Sequence, residues 1–376
     1  MAERPSSSSL AGSRALRRYS RHLLIPEVGL AGQEKLASAR VLCIGAGGLG
    51  SPVLQYLAAA GVGRIGVMDD DVVDETNLQR QTLFATADIG ASKARVAAER
   101  LLASNPQIAI DAIPLRFTGE NARDLVRLYD VIVDCTDRFE TRYLVNDACA
   151  LEDKPDVYGS IFRFDGQVSV FWRGRGACYR CLFPESPPPG TVPTCAEGGV
   201  LGVLAGIVGT MQANEVLKLV LGIGEPLIGR LLLVDALGGR TRELHIDRDP
   251  ACPLCGEHPT IAGVRLNEVP DEPSGVVEIA IGALDRELEG ATLLDVREPH
   301  EAVLGVLPGA VHIPASELEA RMHELDSARR YIVACRVGAK SLWAVRRLRE
   351  AGFGRLAHLE GGLLAYAAQD PAFAFF

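Results

Sequence analysis

The chain has 376 residues, and its 48% hydrophobic and 23% charged composition is that of a globular protein with more than one core. A formal net charge of −9 argues against general binding to nucleic acid or to an anionic membrane, because acidic surfaces repel phosphate. Nine cysteines, an odd number with four in two C-x-x-C pairs, argue against a disulfide framework and for a reducing, cytoplasmic setting.

In chain order, residues 1–12 read as a Ser-rich disordered tail without the apolar run of a secretory signal, leading into a basic helix. Arg40 to Ile44 predicts a short buried strand. The turn Gly45-Ala-Gly47-Gly48-Leu-Gly50 follows, and then a helix through Ala60. In this context backbone N–H groups and a helix N-terminus face phosphate oxygens with no Cβ in the way. A second strand, Arg64 to Met68, runs into Asp69-Asp70-Asp71, with Asp69 best placed for ribose hydroxyls. Alone, the loop fits NAD, FAD, SAM or ATP equally.

The next residues narrow the chemistry. Asn77-Leu-Gln-Arg80-Gln81 comes soon after the acidic turn, and Lys93 follows in Gly-Ala-Ser-Lys-Ala. Cys135-Thr-Asp137 ends the strand Asp130 to Asp134, where open α/β sheets place their ligands. Two cations and an acid beside a phosphate cradle suit phosphoryl chemistry: Arg80 and Lys93 neutralise a triphosphate, and Asp137 can hold Mg2+. Hydride transfer has no need of that set.

Cys178-Tyr-Arg-Cys181 and Cys252-Pro-Leu-Cys255 are two knuckles whose four thiolates give a closed, tetrahedral Zn2+ site. Pro184 to Thr194 carries too many prolines for a helix or central strand and reads as a crossover loop. Cys195 stands just after it, before a Gly-rich helix whose N-terminus would favour a thiolate. Val200 to Met211 is apolar but shorter than a bilayer and reads as a buried helix, with Gly202, Gly206 and Gly209 allowing another helix to approach closely. Cys43, Cys135 and Cys149 sit in apolar surroundings and read as inert core.

Residues 267–275 are acidic, contain Pro and Gly, and read as a linker. Beyond it the pattern restarts with strands Thr292 to Asp295 and Tyr331 to Ala334 and a helix from Ser341 to Ala351. The expected class is therefore α/β, with a Rossmann-like, mainly parallel domain over 13–266 and a small α/β domain over 276–376. Cys335-Arg336-Val-Gly338-Ala-Lys340-Ser341 joins that last strand to its helix. Inward-pointing amides make such a loop an anion nest, and Arg336, Lys340 and the helix N-terminus add positive potential that favours a thiolate or persulfide. A tyrosine-phosphatase-like loop shares this logic, but its sixth position is Arg, not Lys.

Arg18-Tyr-Ser-Arg21-His, the Gly45 to Gly50 loop, Asp69, Asn77-x-x-Arg80-Gln81, Lys93 and Cys-Thr-Asp137 together resemble the MoeB/ThiF group, relatives of ubiquitin-activating enzymes, over residues 13–260. The resemblance implies ATP-dependent adenylation of the C-terminal Gly-Gly carboxylate of a small ubiquitin-like sulfur carrier of MoaD/ThiS type. It implies a homodimer in which Arg21 reaches the neighbour's ATP. Asp69 would bind ribose, Asn77, Arg80 and Lys93 the phosphates, and Asp137 the Mg2+. Cys195 occupies the place of a cysteine proposed to attack the adenylate or to form an acyl disulfide; His22 stands where Gln is more usual. Leu293-Leu-Asp295-Val-Arg297-Glu298-Pro-His-Glu301, Leu307 to Pro314, Leu359-Glu-Gly-Gly362 and Cys335 resemble a single-domain rhodanese over 276–376. This implies that Cys335 takes sulfur as a persulfide from a cysteine desulfurase or thiosulfate, with Lys340 where Arg is more usual and Asp295 and Arg297 as structural partners beneath the loop. The carrier adenylate would then become a thiocarboxylate, the sulfur form used in molybdopterin, thiamine, cysteine or tRNA thiolation.

Overall fold

The structure, a computed structural model, describes residues 13–186, 199–264, 276–303 and 305–367. The expected tail, the expected linker and Cys195 lie outside the described residues. The described residues divide into two compact units, one of residues 13–186 and 199–264 and the other of residues 276–303 and 305–367.

Short runs rich in Val, Ile and Leu build the sheet of the first unit: β1 (Arg40–Ile44), β2 (Arg64–Met68), β3 (Ala109–Ile113), β4 (Val131–Asp134), β5 (Asp156–Phe162), β6 (Asp165–Phe171), β7 (Arg230–Asp235) and β8 (Arg240–His245). Their order is β3-β2-β1-β4-β5-β6-β7-β8. The first five strands pair in parallel, and β5 through β8 continue the sheet antiparallel. The mainly parallel α/β expectation holds, and the antiparallel half extends it. Because β1 lies between β2 and β4, the chain reverses its winding beside β1, and the loop after that strand opens at the switch point where α/β sheets bind ligands.

Three helices position the site in this unit: α1 (Gly50–Ala60), α2 (Lys93–Ser104) and α3 (Phe139–Leu151). A fourth, α4 (Gly202–Leu221), has 20 residues and is long and apolar enough to cross a membrane by length and composition alone. In the fold it is a core helix, with Leu204, Ala205, Val208, Ala213 and Val216 buried. Its polar residues are satisfied inside: Gln212 donates to the carbonyls of Asp134 (2.8 Å) and Val157 (3.0 Å), and Glu215 accepts from the Leu227 N–H at 2.9 Å. The expected close approach is made at Gly209, where a Cβ would lie 2.5 Å from the Leu49 carbonyl and from Pro52 of α1. Gly202 instead faces the Gln79 backbone in a loop, and Gly206 has nothing within 4 Å.

The second unit is an all-parallel sheet in the order β11-β10-β12-β13-β9, built from β9 (Val277–Ile279), β10 (Thr292–Asp295), β11 (Val311–His312), β12 (Tyr331–Ala334) and β13 (Leu356–Leu359). β12 is central and buried throughout. Helices α5 (Ala339–Glu350) and α6 (Gly362–Ala367) follow β12 and β13. The helix expected from Ser341 starts two residues earlier, because Gly338 adopts φ +99 and forms the N-cap.

Candidate functional sites

The turn after β1 is dictated by two close approaches. Gly45 has φ +94, and a Cβ there would sit 2.8 Å from the Cys135 carbonyl oxygen; a Cβ on Gly50 would collide with the Gly45 carbonyl. Asp69 closes the turn from β2, accepting the Ala46 N–H at 2.8 Å and the Asp71 N–H at 2.9 Å. Burial raises the Asp69 pKa, an effect opposed by the charge of Lys93 and by those two amide bonds. Lys93, the first residue of α2, is 5% exposed, and its ammonium reaches the exposed carboxylate of Asp71 at 3.1 Å. Asn77 Oδ1 accepts from Gln81 at 2.7 Å and from Arg80 at 3.5 Å, and Arg80 also donates to the Thr76 carbonyl at 3.3 Å. The Arg80 stem and the Gln81 amide lie over Gly48 and Gly47. The expected Asp69, Asn77, Arg80 and Lys93 are thus gathered round the glycine turn.

Asp137 enters from β4, beside β1, where Cys135 donates its N–H to the Ile44 carbonyl at 2.9 Å. Its carboxylate is exposed, with no hydrogen bond or ion pair among the described residues, so it is open to a hard cation. Beneath it is a set of buried charges that the sequence reading missed. Asp134 Oδ1 accepts the Thr136 N–H (2.9 Å) and hydroxyl (2.6 Å), and Arg142 donates to the Thr136 carbonyl at 3.1 Å. Asp134 Oδ2, Asp156 Oδ1 and Arg142 Nε are buried without partners. Burial raises the Asp134 pKa against the pull of Arg142, and burial, then the charge of Asp134, pushes Asp156 well above the usual carboxylate range. The one available signal was a set of charged residues within and after an apolar strand. Arg21 is exposed on the short helix Ser20–Leu23 and has no hydrogen bond or ion pair among the described residues; the structure does not join it to the other predicted residues.

The two knuckles converge. The Cys178, Cys181, Cys252 and Cys255 sulfurs all lie within 4.8 Å of one another, with separations of 3.8, 3.6 and 3.3 Å for 178–181, 178–252 and 181–255. A tetrahedron with metal–sulfur bonds of about 2.3 Å has edges near 3.8 Å, so the cluster fits Zn2+ and is too wide for disulfides. Backbone N–H groups of Asp249 and Cys255 point to Cys181 and Cys252 sulfurs at 3.4 and 3.5 Å. Hydrogen bonds from Cys178 and Cys255 favour the thiolate at Cys181. The first knuckle is anchored on α3 by a buried two-point ion pair, Arg180 to Asp147 at 2.7 and 2.8 Å, and by the Tyr179 N–H on Asn146 Oδ1 at 2.8 Å.

In the second unit Cys335 sits at the end of β12, 1% exposed, with its sulfur accepting the N–H groups of Gly338 (3.1 Å) and Ser341 (3.3 Å). Two backbone donors on one sulfur, at the entry to α5, form an anion nest. The first residue of α6 lies close against the loop backbone: a Cβ on Gly362 would lie 2.6 Å from the Cys335 and Arg336 carbonyl oxygens. Below the loop Arg297, 2% exposed, chelates Asp295 at 2.6 to 3.1 Å. Lys340 differs from expectation. Its ammonium is held by Glu301 at 2.8 Å rather than standing as an unpaired charge of the loop.

A phosphate-type glycine turn ringed by Lys93, Arg80 and Asp69, together with a cysteine nest on a second sheet, defines an enzyme that activates with a nucleotide and transfers through sulfur. Comparison with known proteins agrees. The model of the "ThiF family" matches residues 19–254, and that of the "Rhodanese-like domain" matches residues 281–369. The chain is 46% identical over 363 residues to "Probable adenylyltransferase/sulfurtransferase MoeZ" of Mycobacterium tuberculosis, covering 94% of this chain and 93% of that one. It is 55% identical over 250 residues to the "Sulfur carrier protein adenylyltransferase" of Thermus thermophilus, covering 65% of this chain and 92% of that one. Among solved structures, E. coli MccB with ATP superposes with a TM-score of 0.54 and 26% identity, covering 64% of this chain and 74% of that one. The chain belongs to the ThiF family and carries a rhodanese-like domain after it.

Proposed function

We propose that the chain adenylates the C-terminal Gly-Gly carboxylate of a small ubiquitin-like sulfur carrier and then converts the adenylate to a thiocarboxylate with sulfur held on Cys335. The chain is an enzyme, an adenylyltransferase and sulfurtransferase. The observation that carries the detailed reading is the presence on one chain of the cation-ringed glycine turn and of Cys335 beneath two amides.

A carboxylate resists nucleophiles because oxide is a poor leaving group. In the first half the carrier carboxylate attacks the α-phosphorus of ATP and pyrophosphate departs. Lys93, Arg80 and Asn77 hold the phosphates, and Asp69 holds the ribose. Arg21 comes from the second subunit of a homodimer. Asp137 would hold Mg2+, which neutralises charge on the phosphates. In the second half the outer sulfur of the Cys335 persulfide attacks the acyl carbon, and AMP leaves with the bonding electrons. A thiol then cleaves the acyl disulfide, being oxidised to a disulfide as the thiocarboxylate is released; Cys195 is the candidate for a cysteine that attacks the adenylate or forms an acyl disulfide. Arg336, Gly338 and Ser341 shape the persulfide loop. The four knuckle cysteines would hold a structural Zn2+ that clamps the turn after β6 to the end of the first unit. We assign the protein to the cytoplasm, where thiols stay reduced.

Cys335→Ala separates the halves. It should abolish thiocarboxylate formation and leave carrier-dependent ATP–pyrophosphate exchange within about twofold of wild type, since all the nucleotide residues lie on the other unit. Loss of exchange in a folded variant would refute the division.

A further inference from the structure

Glu301 is a buried carboxylate that the persulfide chemistry leaves without a task. Its side chain is 3% exposed, and Oε2 accepts both the Glu298 N–H and the Lys340 ammonium at 2.8 Å, while Oε1 is buried without a partner. Lys340 is 15% exposed and immediately precedes Ser341, whose N–H touches the Cys335 sulfur at 3.3 Å. The loop cation that adjoins Ser341 is therefore electrically cancelled. Arg297 is cancelled in the same way by Asp295. Arg336 is the remaining cation of the loop, with no ion pair among the described residues.

The charge matters because sulfur donors differ in it. Thiosulfate arrives as a dianion: the Cys335 thiolate bonds its outer sulfur, the sulfur–sulfur bond breaks, and sulfite leaves with the electron pair. A persulfide group carries at most one negative charge; the thiolate takes its terminal sulfur and the parent thiolate leaves. A loop with Lys340 neutralised favours the second donor over the first. We propose that Glu301 is a specificity-determining residue, one that cancels Lys340 and so selects against dianionic sulfur donors. The proposal rests on the reading of Cys335 as sulfur acceptor.

The test loads the full-length chain with thiosulfate or with cysteine persulfide, which bears at most one net negative charge, in single turnovers and measures Cys335 persulfide by mass spectrometry after alkylation. The readout is the ratio of the two loading rates. Glu301→Gln keeps an acceptor for the Glu298 N–H and removes the charge; it should raise the thiosulfate-to-persulfide ratio about tenfold. Adding Lys340→Met should erase that gain, because the released cation is its source. Lys340→Met alone exposes the Glu301 charge and should lower the ratio. If Glu301→Gln does not fold, this variant decides, and an unchanged ratio overturns the proposal. An unchanged or lower ratio in folded Glu301→Gln overturns it equally. Sulfur loading that survives Cys335→Ala would instead defeat the reading of Cys335 and leave the selectivity argument without its site.

Discussion

Burying a carboxylate is costly unless its charge is paired, and the first unit buries two on neighbouring strands, Asp134 and Asp156, two register positions apart. Asp134 repays this by holding the Thr136 N–H and hydroxyl, which sets the turn that presents Asp137. Asp156 has an unpartnered buried oxygen and a pKa pushed up first by burial, then by Asp134. A carboxyl whose pKa is higher folded than unfolded favours folding fully only below its unfolded pKa, near 4, and that contribution is lost as pH rises through the folded value. Asp156→Asn should therefore stabilise by about 1–2 kcal/mol at neutral pH and by almost nothing at pH 4, read from urea midpoints at both. A penalty that did not change with pH would remove this account. Residues legible in the sequence, Gly45, Asp69, Lys93 and Cys335, announce themselves through neighbours in the chain. Glu301 did not, because its partner Lys340 is 39 residues away and only the fold brings them together.

Elements were legible where a short apolar run ended in a turn. β1, β2, β10 and β12 have the expected bounds, since each is buried on both faces and needs no partner's pattern to be recognised. β6, β7 and β8 were not foreseen; β8 reads Arg-Thr-Arg-Glu-Leu-His, almost wholly exposed, and only pairing with β7 makes it a strand. Spacing alone likewise did not tell which glycine of α4 bears the close contact. Gly209→Ala should cost about 1–3 kcal/mol, because the new methyl meets the Leu49 carbonyl at the cap of α1 and the Pro52 ring, neither of which can readily yield. Gly206→Ala meets open space and should be neutral or stabilising by up to about 1 kcal/mol, as alanine is the better helix former. Thermal melts of the two variants check the pair, and equal losses would contradict the packing.

For the whole molecule the question is how many chains make one site. Arg21 is exposed and has no hydrogen bond or ion pair among the described residues, and the proposed homodimer assigns it to a neighbour's site. Mixing inactive Arg21→Ala and Asp137→Ala chains under subunit exchange should restore about a quarter of wild-type adenylation, since half the dimers are mixed and one site in each is intact. Exchange without recovery would place Arg21 in its own subunit's site. The knuckles bear on how the chain reaches this state at all. Cys178 and Cys252 are 74 residues apart, one just after β6 and the other just after β8, so β6 cannot pair with β7 until a long excursion closes. A metal bridging the knuckles would hold those ends together before the strands meet and shorten that search. Cys252→Ser should lower bound zinc, measured by atomic absorption, from one per chain toward none, and lower the melting temperature. In refolding followed by pulsed hydrogen exchange, amides of β1, β2 and β4 should gain protection at the wild-type rate while those of β6 and β7 lag: the same sheet, assembled in two instalments.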